Sequence, residues 1–147
     1  MSKYIEFFVA PDDDAAAAVR NRGPAASYTV VAANDMYLDA DEAVIAWRNL
    51  VAGRPGPYLS EQDDLHMVAD FQNDGSAVFA LPDDLVVSLI GASPRRLREV
   101  AEAWVPVVVA EGSAIDVETA AVLLSEVAEL GRAAVGTRSR LYCWVAL

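Results

Sequence analysis

Residues 140–145 read RLYCWV and residues 4–9 read YIEFFV, and these two stretches decide the fold. Both are rich in aromatic and β-branched residues, the composition of strands. A strand presents alternate side chains to opposite faces. In the later stretch Leu141, Cys143 and Val145 share one face, while Tyr142 and Trp144 share the other. In the earlier one Ile5, Phe7 and Val9 share a face, opposite Tyr4, Glu6 and Phe8. Each strand thus divides into an aliphatic-rich and an aromatic-rich face. A segment near a chain end frays unless it is tied down. The two stretches are therefore expected to meet inside a sheet, with the aliphatic face under helices. The aromatic face either packs on further helices or forms a surface. The large area that aromatic rings bury favours a core on both sides.

The sequence between them is punctuated by helix signals. Asp12, Asp13 and Asp14 precede AAAAVRNR, a helix that Gly23-Pro24 should stop. A second strand is expected over residues 28–33. Asp39 with Glu42 three residues later forms a capping-box pattern before a helix carrying Trp47 and ending at Gly53. Residues 65–71 and 76–81 flank Gln-Asn-Asp-Gly and read as a hairpin. Pro82-Asp83-Asp84 opens a short helix that Gly91 closes, and Ser93-Pro94 opens the next. Pro106 should kink or end that helix. Asp116 caps a long helix that Gly136 should end. The pattern is α+β: a small mixed β-sheet including both terminal strands, packed with about five helices. At 147 residues a single domain over 1–147 is expected.

Composition narrows the function. Apolar residues make up 54% of the chain and mean hydropathy is +0.25, enough for a core. The formal charge of −11 argues against nucleic acid and anionic membranes, which repel an acidic surface. It suits either a basic protein partner or simple solubility. One Cys forms no internal disulfide, so a reducing cytoplasm is expected. The first residues lack the basic, apolar and cleavage regions of a signal peptide. A homo-oligomer is left open.

No GxGxxG, Walker, GxSxG or HExxH pattern occurs. Cys143 and His66 are the sole residues of their types, so a Cys–His dyad rests on residue types alone. Zinc at His66 would need carboxylates for every other ligand, and neither a metal nor a cofactor is expected. Most acidic pairs stand where helices start, and capping accounts for them. Asp63 and Asp64 fit a helix start least well and are candidates for a binding face. Arg95, Arg96 and Arg98 crowd a helix N-terminus, where cations oppose the dipole. They either pair with Glu99, Glu102 or another helix, or bind an anion. Tyr142 and Trp144 are candidate binding residues if their face is exposed.

Four segments, EFFVAPDDDAAAAV, the Trp47 helix, VFALPDDLV and RLYCWV, resemble a group of small acidic actinobacterial proteins of unknown function. The order of parts is more distantly similar to the YfbM-like family, also of unknown function. The matching parts are the Trp47 helix ending in Gly53, Pro82-Asp83-Asp84, and the closing helix and strand over 117–145. Neither resemblance implies an activity. The residues favour a cytoplasmic, non-enzymatic interaction protein, of which an immunity or antitoxin-like role is one instance. The alternative is a small-molecule-binding protein or enzyme with a pocket near Trp47, His66 and the Arg95–Arg98 cluster.

Overall fold

A computed structural model describes residues 3–54, 65–70 and 75–146. Chain order is β1 (Tyr4–Ala10), α1 (Asp13–Ala17), β2 (Val30–Ala32), α2 (Ala40–Val51), β3 (His66–Ala69), β4 (Ala77–Ala80), α3 (Asp83–Gly91), α4 (Pro94–Ala110), α5 (Val117–Gly136) and β5 (Arg140–Ala146). The strands form one α+β sheet in the order β2-β1-β5-β4-β3. The last strand is thus internal, hydrogen-bonded to β1 from Tyr4↔Ala146 to Ala10↔Arg140 and to β4 from Ala77↔Val145 to Ala80↔Tyr142. That resolves the fraying problem posed by RLYCWV.

The sheet is antiparallel at every pairing, not mixed. A parallel return needs a crossover of a dozen or more residues, usually a helix. Between β1 and β2 the five-residue helix and the turns after it return the chain antiparallel. After Ala17 the chain tightens into i→i−3 turns, Val19 to Ala16, Arg20 to Ala17 and Arg22 to Val19. Gly23 then takes φ +78 directly beneath Trp144, where a Cβ would lie 3.1 Å from the ring. The helix expected through residue 22 ends early because the chain must curl over that indole.

Two cores lie on the two faces. Ile5, Phe7, Phe79, Leu141, Cys143 and Val145 pack against α2–α5. Phe8, Val78, Tyr142 and Trp144 lie beneath α1 and the turns after it, anchored by Ala16 and Val19. The aromatic face is therefore a second core rather than a surface. β3 and β4 pair as expected, with an irregularity between Met67 and Ala69. Most of their connecting turn lies outside the described residues.

Helix ends separate into those foreseen and those not. Asp12, Ser93 and Asp116 accept from the backbone N–H of Ala15, Arg96 and Thr119, as N-caps should. Asp39 holds the N-cap position of α2 without a capping bond from its side chain. α4 neither ends nor breaks at Pro106 but continues to Ala110. Pro106 faces solvent, where water can satisfy the carbonyl it leaves free. α2, α4 and α5 close with the same pair of bonds: Arg54 N–H to Asn49 O, Ser113 to Val108 and Ser139 to Ala134, each joined by a 5→2 bond. The left-handed residue in these motifs is Gly53 in α2 and Gly112 in α4. In α5 it is Arg138, at φ 53, and not the expected Gly136.

Candidate functional site

The candidate residues do not converge. Trp47 is wholly buried in the helix-covered core, edge-on to Trp104 at 5.2 Å and 5.7 Å from Phe7. His66 lies on the opposite face of the sheet, bonded to α1. Tyr142 and Trp144 are buried, so neither belongs to an exposed docking face. The pocket imagined from Trp47, His66 and the arginine cluster thus has its members on different sides of the molecule. Asp63 and Asp64 lie outside the described residues.

The arginines at the start of α4 make pairs within α4 and to neighbouring helices. Arg96 donates to the carbonyls of Leu50 at 2.9 Å and Val51 at 3.4 Å, capping the C-terminal end of α2. Arg95 and Arg96 both pair with Glu99. Arg98 pairs with Glu102 at 3.2 Å and with Glu118 of α5 at 2.7 Å. Their conflict with the dipole of α4 is offset by docking on neighbouring helices. Arg48 similarly clamps Asp84, joining α2 to α3 at 2.9–3.0 Å.

One polar network does assemble from distant parts of the chain. The Tyr142 hydroxyl donates to Asp13 Oδ1 at 2.7 Å, and His66 Nε2 lies 2.9 Å from Asp13 Oδ2. Arg140 reaches Asp13 at 3.4 Å and Asp83 at 3.7 Å. Bonds from His66 and then Tyr142 outweigh partial burial and hold the Asp13 carboxyl below its usual range. Burial, followed by the bond to Asp13, pushes the Tyr142 phenol up. An Asp–His pair can orient a general base. Yet no hydroxyl or thiol among the described residues bonds His66. Cys143 points into the other core, where burial first, then Asp41 and Glu6, drives its thiol well above the ordinary value. The network therefore fastens α1, β3 and α3 to β5. Nothing in the spacing of Asp13, His66 and Tyr142 foretold it.

A second feature was missed because its parts read as caps. Asp39, Asp41, Glu42 and Glu111 gather at the N-terminus of α2 and the C-terminus of α4. Burial, and then the charges of Asp39, Asp41 and Glu111, raises the Glu42 carboxyl. Beside them the loop over 33–39 holds two left-handed residues, Asp35 at φ 59 and Tyr37 at φ 57. Strapping bonds fix the loop: Ala114 N–H to Met36 O, Ser113 Oγ to Tyr37 O, and Ile5 N–H to Asn34 Oδ1. The Tyr37 side chain stands out, 59% exposed.

Among the described residues no group of three or more His, Cys, Asp or Glu side chains could hold a metal ion, and no helix is long and apolar enough to cross a membrane. No protein-family model, curated protein or solved structure matches this chain.

Proposed function

We propose that this protein is a cytoplasmic, non-enzymatic interaction module that captures a basic protein partner at its acidic end. The observation that carries the reading is the crowding of Asp39, Asp41, Glu42 and Glu111, whose charges add to burial in raising the Glu42 carboxyl, beside exposed Tyr37. Like charges held together store repulsion that an approaching cationic surface relieves. A rigid, exposed tyrosine is a typical interface anchor. Arg48 and Arg98 are engaged in pairs that join helices, with Asp84 and Glu118. An immunity or antitoxin-like role fits this chemistry.

The experiment is capture of a partner from a lysate of the source organism, followed by association kinetics across salt concentrations. Association should slow steeply as salt rises, because exposed charges are screened over about 10 Å at 0.1 M. Asp41→Lys with Glu111→Lys should slow association by about tenfold or more while leaving the melting temperature nearly unchanged. A captured partner that binds equally well at all salt concentrations overturns the reading.

A further inference from the structure

Among the described residues Glu6 is the one acidic residue in the interior of a central strand, and no cap or ion pair accounts for it. It is 9% exposed. Among the described residues no hydrogen bond or ion pair holds its carboxylate, and burial alone raises that carboxyl. An apolar side chain would be the stable choice here, since Phe8 and Trp144 on the same face are core residues. Across the ladders Glu6 stands opposite Trp144 on one side and Ala32 on the other. Tyr4, two residues earlier on the same face, stacks near Trp144, with centroids 6.3 Å apart and planes at 29°. Tyr4 is 38% exposed, so the group opens to solvent at that end of the sheet. The Tyr4 ring already attracts a cation, with Lys3 Nζ at 5.5 Å from its centroid.

We infer that Glu6 and the half-exposed ring of Tyr4, backed by the buried Trp144, form a binding site for an organic cation, an alkylammonium or a guanidinium. Aromatic faces bind such ions through their quadrupole, and the carboxylate supplies the countercharge. A bare divalent metal fits poorly, because it needs several oxygen ligands and finds one carboxylate. Ala32, across the ladder on the β2 side, is small and exposed. The cation is either a free amine or the side chain of a Lys or Arg on a partner. The site does not depend on the acidic end, because its test needs neither Asp41 nor Glu111.

The test is a titration followed by the indole N–H resonance of Trp144, assigned by its loss in Trp144→Phe. The probes are butylammonium, N-acetylarginine amide and a short arginine-containing peptide, with butanol as the neutral control. A saturable shift with a cation and none with butanol is expected. Glu6→Gln should weaken it by about tenfold or more, because the charge-assisted bond is lost, and Tyr4→Ala should weaken it less. Glu6→Gln should stay folded: the raised carboxyl contributes stability below its unfolded value that is lost as pH rises through the folded one. The variant should therefore melt higher than the parent at pH 8, by a margin that shrinks towards pH 4. A peptide that binds at least about tenfold tighter than butylammonium assigns the site to a partner side chain, and equal binding assigns it to a free amine. No saturable shift with any cation, a shift that butanol reproduces, or one that survives Glu6→Gln undiminished overturns the proposal.

Discussion

The two faces of the sheet are covered in opposite ways. One lies under four helices whose Leu, Val and Trp side chains interdigitate with Phe7, Phe79 and Cys143. The other carries the larger aromatic load of the first and last strands, yet its cover is one five-residue helix and a series of turns. Apart from Val19 and Tyr28, alanines make up that cover, so it contributes little area of its own. Specific polar tethers hold it in place. Tyr142 and His66 bind Asp13, the Trp144 indole donates to Arg20 O at 2.8 Å, and Arg20 bonds Asp70 O. A cover made of large side chains tolerates imperfect geometry, whereas a cover made of small ones depends on directed bonds.

Removing residues 141–147 should have the largest effect, because β5 supplies the middle of both cores. The truncated chain should lose cooperative thermal unfolding, and a sharp transition would show that the faces are not joined through β5. Next, the two covers should differ in what one side chain is worth. Trp104→Ala should cost about 3–5 kcal/mol in chemical denaturation, as a large cavity does. Val19→Ala, which thins the other cover by two methyls, should cost about 1–2 kcal/mol. Equal costs would erase the distinction drawn between them.

The tethers are tested by Tyr142→Phe, which keeps the ring and removes the donor to Asp13. A loss of about 1 kcal/mol is expected at pH 7, discounted for the partial exposure of Asp13. Because the Asp13 carboxyl is lowered, the tether acts above the unfolded carboxylate range and is lost as pH falls through the lowered value. The difference between variant and parent should therefore shrink as pH falls through that lowered value. Helix entry separates the two sides further. Asp12→Ala should destabilise by about 1 kcal/mol, because its side chain makes the capping bond that Asp39's does not. The smallest effect is a gain. Arg138→Gly should raise stability by about 0.5–1 kcal/mol, read as a higher denaturation midpoint, because glycine takes positive φ without a Cβ clash. No gain would mean that the arginine side chain offsets its backbone strain.

Local signals in the sequence were reliable where one residue type has one physical use. Alternation in YIEFFV and RLYCWV placed both strands in the sheet with the right faces inward. Asp12, Ser93 and Asp116 cap as read, and the arginines of α4 pair with Glu99, Glu102 and a neighbouring helix. Features set by long-range geometry were not legible. The curl that shortens α1 answers to Trp144, more than a hundred residues away in sequence. Asp13 reads as one more capping carboxylate until β3 and β5 bring His66 and Tyr142 to it. Glu6 was visible as a polar residue in a strand, but its burial depends on neighbours from β2 and β5. The left-handed residues Asp35, Tyr37 and Arg138 carry no glycine to announce them.

The central place of β5 also constrains when the fold can form. β1 is made first, yet its longest ladder joins it to the last strand, so its main partner arrives after all five helices. At 5–20 residues per second of synthesis, β1 waits roughly 7–26 s for β5. Through that interval β1 and β4 lack the strand that lies between them, and the aromatic side chains of residues 4–8 have no finished core to enter. Pairing across nearly the whole chain is also high contact order, which slows the final closure. The nascent chain must therefore keep β1 from other partners until β5 emerges.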